Sequence, residues 1–467
     1  MLEIEISRLV ASLEKIVGPT YVFADAATLE AYSHDETENL TFAPHVVVKP
    51  GNSLEISMIM IEANQNLIPV TVRGGGTGLS GSALPVKGGI LISMERFSKI
   101  LEIDIKNHQV TAEPGVITEV LQQAVAAYGL FYPVDPASKG SCTLGGNLAQ
   151  SSGGPRAVKY GTTRENVLNM EVVLPTGEII WTGANVLKFS SGYNLTQLMI
   201  GSEGTLGIVT KAVLKLRTLP MHDVLMLVPF RKIEEACAAV SAIFMAGITP
   251  SCLEFMERNA IDLAVSYTGS TVKMDPDIEA HLLIELDGND ASQLTKEAEA
   301  VYEVLLGFDV GEVMFADSDL QKEELWMLRR KAPYAVKHTS IYKEEDTVVP
   351  RYHLPQLIRF IKQLEKKFGF TSVCYGHAGD GNLHVNILQT GLSEAQWNTL
   401  LPVAITELFR EVVALGGTIS GEHGIGLVQK PYLPLALSAA HFRLMSGIKR
   451  TFDPNNILNP GKIFDLV

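Results

Sequence analysis

An α+β architecture in at least two domains is the fold class this sequence predicts, and three observations carry it. The chain has 467 residues, more than one hydrophobic core usually organises. Up to about residue 215 it mixes short β-rich runs with small helices and lacks the βαβα rhythm of a doubly wound sheet. From Leu216–Met221 onward strands alternate with long helices, which suits helices on one face of a mainly antiparallel sheet.

The elements follow in chain order. Ile4–Val17 has the apolar spacing of an amphipathic helix, closed by Gly18. Asn52 caps a second helix, with Glu55 in capping-box spacing. Thr118–Tyr128 reads as a third, ended by Gly129. Between them His45–Val48, Val70–Val72, Ile90–Met94, Gln109–Ala112 and Met170–Leu174 read as strands. Further on, Val224–Pro229, His281–Glu285 and Glu312–Ala316 read as strands, and Ile233–Ala246 and Leu294–Leu306 as helices. The turn-rich Phe452-Asp-Pro-Asn-Asn-Ile-Leu-Asn-Pro-Gly461 fits a docked tail.

Composition excludes several classes. With 46% hydrophobic and 19% charged residues the chain is globular, not disordered. Its 38 basic against 52 acidic residues give −14, which argues against nucleic acid as a partner. Cys142, Cys237, Cys252 and Cys374 form no C-x-x-C pair, so an intrinsic iron–sulfur cluster, a zinc ribbon and a disulfide framework are not expected. The start, Met1-Leu-Glu-Ile-Glu-Ile-Ser, has neither a signal nor a transit pattern, and no apolar run reaches membrane-span length. A cytoplasmic location follows as the expectation, with peripheral contact at the inner membrane face left open.

Arg73-Gly-Gly-Gly-Thr-Gly-Leu-Ser-Gly81 satisfies G-x-G-x-x-G through Gly76, Gly78 and Gly81. A Rossmann site needs a strand before those glycines and a helix after them. Pro69–Val72 supplies the strand, but Ser82–Pro85 leads to Gly88, Gly89 and a second strand. Strand, loop, strand cradles a diphosphate in a nest of successive N–H groups instead of at a helix end. Two further clusters, Pro133–Asn147 with Gln150–Gly154, and Gly201–Thr210, also let backbone approach a large flat ligand closely. Three separated glycine clusters point to an extended dinucleotide.

Taken together, Arg73–Gly81, Cys142–Asn147, Gly201–Val209 and Asn459-Pro-Gly461 resemble the flavoproteins of the vanillyl-alcohol oxidase fold. Within it the chain is similar to the glycolate oxidase D subunit, D-lactate dehydrogenase and D-2-hydroxyglutarate dehydrogenase branch. The resemblance implies a PCMH-type two-subdomain FAD-binding domain over 1–215 and an α+β cap domain with a mainly antiparallel sheet over 216–425. A C-terminal segment, 426–467, would return to the FAD domain. It implies FAD contacts from Arg73, Gly74, Gly75, Gly76, Thr77, Gly78, Leu79 and Ser80. It extends them to Pro133, Asp135, Ser138, Ser141, Cys142, Thr143, Gly145, Gly146 and Asn147, then to Ser151, Gly154, Tyr160 and Gly161. Glu203, Gly204, Gly207, Ile208, Val209 and Asn459 complete the set. Covalent attachment in that fold uses a His or Cys near the flavin; the loop has neither, Cys142 is the nearby candidate, and non-covalent FAD is expected.

The chemistry concentrates later. Tyr375-Gly-His-Ala-Gly-Asp-Gly-Asn-Leu-His-Val-Asn386 reads as strand, turn, strand, with His384 and Asn386 on one face. Gly379 and Gly381 permit a reversal that brings His377 back towards them, and Gly421-Glu-His-Gly-Ile-Gly426 is another glycine-flanked turn. Two imidazoles and a carboxylate are a common ligand set for Zn²⁺ or a similar divalent ion. The resemblance implies His377, His384 and Glu422 as ligands for Zn or Mn, Asn386 as a substrate contact and His423 as general base. Trp326-Met-Leu-Arg329 resembles a segment whose Arg pairs with the substrate carboxylate, and Lys343 stands where some members place a second cation.

The expected activity is oxidation of a D-2-hydroxy acid with hydride transfer to flavin N5, electrons then leaving to an electron-transfer flavoprotein, a quinone, a cytochrome or an Fe–S subunit. A homodimer is compatible with the sequence. Two alternatives stay open: a non-redox flavoenzyme of the same fold, like the alkyl-dihydroxyacetone-phosphate synthases, and a flavin subunit active only inside a complex.

Overall fold

A computed structural model describes residues 3–270 and 275–466. The chain folds into two compact units. The first comprises Met1–Gly153, Gly161–Leu219 and Glu422–Val467, and the second Gly154–Tyr160 and Pro220–Gly421.

In the first unit, Val22–Phe23 (β1), Val46–Val48 (β2), Val70–Arg73 (β3) and Ile90–Ser93 (β4) form a sheet ordered β1-β2-β4-β3, in which β4 runs parallel to both β2 and β3. β2 and β4 are buried throughout, as their runs of Val46–Val48 and Ile90–Ile92 require. The helix Ser53–Gln65 begins where expected: Asn52 Oδ1 accepts the Glu55 N–H at 3.0 Å, and Ile56, Ile59, Met60 and Ala63 form its buried stripe. The link from β3 to β4 is the glycine loop, without a helix. A Cβ on Gly89 (φ +74°) would lie 2.0 Å from Pro69 O, so only glycine closes that turn.

A second sheet pairs Ile100–Asp104 (β5), Gln109–Ala112 (β6), Val167–Val173 (β8), Ile179–Trp181 (β9) and Ile208–Lys215 (β10) in the antiparallel order β5-β6-β10-β8-β9. Leu130–Phe131 (β7) pairs with Arg217–Thr218 (β11). The tail docks as its turn signature predicts. Val70 N donates to Ile457 O and Asn459 N to Val70 O, both at 2.7 Å. Buried Lys449 ties the tail down through Thr205 O and Leu458 O, each at 2.8 Å, and through Asp453.

The second unit is built on a seven-stranded antiparallel sheet. His222–Phe230 (β12), Cys252–Glu257 (β13), Ala280–Gly288 (β14), Met314–Phe315 (β15), Tyr342–Val348 (β16), Thr371–Gly376 (β17) and Asn382–Leu388 (β18) take the order β15-β12-β14-β13-β17-β18-β16. Helices cover both faces of this sheet, not one. Arg329 of the helix Asp319–Lys337 pairs with Glu254 on one face of β13, while Lys362 of the helix Leu354–Phe368 pairs with Glu257 on the other. The reason lies in the strands: β13 and β18 are buried at every position, so neither face can stay in water. Residues 154–160 belong to this unit through Arg156–Glu285 (3.2 Å), Lys159–Asp287 (2.6 Å) and the Tyr160 hydroxyl donating to Asp287 at 2.7 Å.

Candidate active site

The glycine loop and the Ser141–Gly146 stretch pack backbone to backbone. A Cβ on Gly74 would stand 2.3 Å from Thr143 Oγ1, and one on Gly75 would stand 2.5 Å from Ser141 O. Thr143 Oγ1 is buried without a hydrogen-bond partner. A glycine nest beside an orphaned hydroxyl fits a diphosphate, which supplies the missing acceptor. The second glycine cluster is not all loop, since Leu144–Gln150 forms a short helix that ends at Ser151 with φ +55°.

Several side chains expected at the cofactor are engaged inside the protein. Asn147 Nδ2 donates to Thr118 Oγ1 at 2.6 Å, and Tyr160 is bound to Asp287. Glu203 accepts the N–H groups of Ile425 (2.7 Å) and Gly426 (2.8 Å), and Asn459 Nδ2 donates to Glu203 O and Ser82 O. Burial pushes the Glu203 carboxyl up to about 7 and the nearby Lys462 ammonium down to about 8. Cys142 is buried, with its thiol pushed up by desolvation and lying 3.4 Å from Thr118 Oγ1. A thiol held neutral is a poor nucleophile towards flavin.

In the second unit the strand registers gather the chemistry-bearing residues. Tyr375 stands opposite His384 and Val373 opposite Asn386 across β17–β18, while Asp346 and Glu344 of β16 face the same two residues. Residues directly opposite share a face. The Met256–Tyr375 pairing brings β13 into the same register, so Glu254 shares that face too. The predicted strand–turn–strand is present, with Ala378–Asp380 as its turn and Gly381 at φ +85°. His377 and His384 are buried, their ring centres 5.5 Å apart and nearly perpendicular.

His377 Nδ1 lies 2.8 and 2.9 Å from the two oxygens of fully buried Glu254. Arg329 Nε approaches Glu254 Oε2 at 2.8 Å, and its guanidinium stacks over Tyr375 at 5.2 Å. Arg329 is only 5% exposed, whereas neighbouring Arg330 is exposed and lies over Trp326. Asn386 donates to Val373 O at 3.2 Å, while its Oδ1 is buried without a hydrogen bond. Two buried imidazoles and an unsatisfied amide oxygen form a donor set that fits a divalent cation and an oxygen-rich substrate. Lys343 lies on the same strand, β16. It pairs with Ile387, one position out of phase with Asn386, so strand alternation sends it to the opposite face.

Asp346, 1% exposed, accepts Asn382 Nδ2 at 2.6 Å on one oxygen and Ser420 Oγ (3.0 Å) and Gly421 N (2.8 Å) on the other. Glu422 and His423 follow directly in the chain, at the start of its return to the first unit. There Glu422 Oε2 stands 3.0 Å from where a Cβ on Gly153 would lie.

Family models for an FAD binding domain and for the C-terminal domain of FAD linked oxidases match residues 44–183 and 219–463. This chain belongs to the FAD-linked oxidases. The D-lactate dehydrogenase of Anaerostipes hadrus is 39% identical to it over 96% of both chains. The glycolate oxidase subunit GlcD of Bacillus subtilis is 37% identical, over 97% of this FAD-linked oxidase and 96% of the relative. The D-2-hydroxyglutarate dehydrogenase of Xanthomonas citri is 34% identical, over 98% and 97%. Among solved structures, p-cresol methylhydroxylase with substrate bound matches with a TM-score of 0.83 at 18% identity, covering 100% of this chain and 98% of that one. An alkyldihydroxyacetonephosphate synthase matches with a TM-score of 0.76 at 20% identity, over 97% and 86%. These two likenesses establish the PCMH-type fold and nothing about substrate. No helix among the described residues is long and apolar enough to cross a membrane.

Proposed function

We propose that this protein oxidises a D-2-hydroxy acid of the glycolate, D-lactate or D-2-hydroxyglutarate type to the 2-oxo acid, with non-covalent FAD and a divalent cation, Zn or Mn. The observation that carries the reading is the buried group of His377, His384, Asn386 and Arg329, in a chain that relatives named for such acids match end to end. His377, His384 and Glu422 would hold the cation. Bound FAD supplies the acceptor for the Cα hydrogen, and the cation the positive charge that acidifies the substrate hydroxyl.

The chain's own residues do the rest. Arg329, desolvated and fixed on Glu254, pairs with the substrate carboxylate. Asn386 Oδ1 offers a buried acceptor to the substrate hydroxyl region. His423 takes the hydroxyl proton, a role that typically contributes about 10²–10⁴-fold. An external acceptor, whether electron-transfer flavoprotein, quinone, cytochrome or Fe–S subunit, removes the electrons.

The test is anaerobic absorbance of the FAD-loaded protein against D- and L-2-hydroxy acids, with and without Zn²⁺ or Mn²⁺. Bleaching by D-acids, lost in His423→Ala, is the expected result. A flavin that stays oxidised with every acid and either metal overturns the reading.

A further inference from the structure

We infer that Glu254 is a positioning residue for the proposed reaction, one carboxylate that fixes both the cation ligand His377 and the substrate clamp Arg329. The inference rests on the roles proposed above for those two residues. Glu254 lies mid-strand in β13 between Leu253 and Phe255, with no exposure to solvent. A carboxylate is costly in such a place and persists only when charge and hydrogen bonds compensate it. Here the compensation comes from two groups of the active face: His377 Nδ1 within 2.8–2.9 Å of both oxygens, and Arg329 Nε at 2.8 Å.

The geometry has a chemical consequence for each partner. A carboxylate facing Nδ1 keeps the ring proton there, which makes Nε2 the lone-pair atom of His377 and raises its basicity as a ligand. The Glu254 charge lies 2.8 Å from Arg329 Nε as an ion pair without hydrogen-bond alignment, and so holds the guanidinium where it stacks on Tyr375. A neutral backbone carbonyl could accept from the imidazole but would leave the buried guanidinium charge uncompensated. An anion accepts from the ring N–H and neutralises the buried cation at once, so ligand and clamp share one support.

The experiment is equilibrium dialysis of FAD-loaded protein with Mn²⁺ or Zn²⁺, without substrate, with the flavin spectrum recorded in parallel. Glu254→Gln should lower cation affinity about 10–100-fold at unchanged FAD content. Unchanged affinity per FAD-loaded chain, including when FAD or thermal stability itself falls, overturns the inference. Because Gln leaves the Arg329 charge buried alone, a second comparison sets Glu254→Gln/Arg329→Met against Arg329→Met. A further loss of cation affinity in the double variant supports the inference, and equal affinity overturns it. His377→Ala separates the two levels. If it binds cation as the unmodified protein does, the ligand reading fails and Glu254 with it; if it loses the cation while both Glu254 comparisons show no change, only the role of Glu254 is lost.

Discussion

Replacing Asp346 by Asn tests how the segment entering Glu422 and His423 is held. One oxygen of Asp346 serves Asn382 and the other serves Ser420 Oγ and Gly421 N–H. An asparagine has a single acceptor oxygen. If that oxygen keeps Gly421, the new NH₂ faces the NH₂ of Asn382; if it keeps Asn382, the Gly421 N–H loses its partner. Flipping the Asn382 amide would break its bond to Thr347 O at 3.0 Å. At least one charge-assisted bond is lost in every arrangement, which costs about 1.5–3 kcal/mol in a buried setting. Where that loss appears as misplacement of the following two residues, it corresponds to roughly 10–150-fold in rate. The assay is anaerobic stopped-flow flavin reduction by a D-2-hydroxy acid, with FAD content as the control. Reduction within twofold of the unmodified rate, at full FAD, would refute the argument that this anchor places Glu422 and His423.

Other expectations follow from the same geometry. Desolvation by burial, helped by Arg258, pushes the His281 imidazole down to about 3. Its folded value is depressed, so the unfolded chain takes up the proton first and stability falls as pH drops below about 6.5. The loss at pH 5 is roughly 2 kcal/mol; urea titrations at pH 7.5 and 5 should show His281→Leu losing less than the unmodified protein. Gly75→Ala should purify with reduced flavin absorbance, because its Cβ would press on Ser141 O and force the nest open. Cys142→Ala should keep its flavin, and acid precipitation should release the flavin from both proteins; colour retained in the unmodified pellet alone would establish a thioether.

The glycine loop was legible because its chemistry is local: the absence of a helix after Gly81 was enough to set it apart from a Rossmann turn. The reversal between His377 and Asn386 was legible for the same reason, since two glycines and a period of two decide it. What escaped was set by pairing across long separations. Glu254 precedes His377 by 123 positions and reads only as an acid inside an apolar strand; the β13–β17 register makes it a neighbour. The face that Lys343 takes turns on a single step of register, which is all that separates the two faces of a strand and which the sequence alone does not fix. Helices on both faces were hidden because β14 and β18 interleave His281, Glu285, Asp287, Asn382, His384 and Asn386 with apolar residues; burial on both sides is a property of the sheet, not of one strand.

The seven residues 154–160 make the cap inseparable from the rest of the gene. The polypeptide passes between the units at 153/154, 160/161, 219/220 and 421/422. A fragment cut at the obvious boundaries, 220–421, would therefore carry Glu285 and Asp287 without Arg156, Lys159 and Tyr160, the groups that neutralise and bond them. Transplanting the cap between relatives demands two inserts instead of one, and a ribosome releases its first piece some sixty residues before the sheet that receives it has begun.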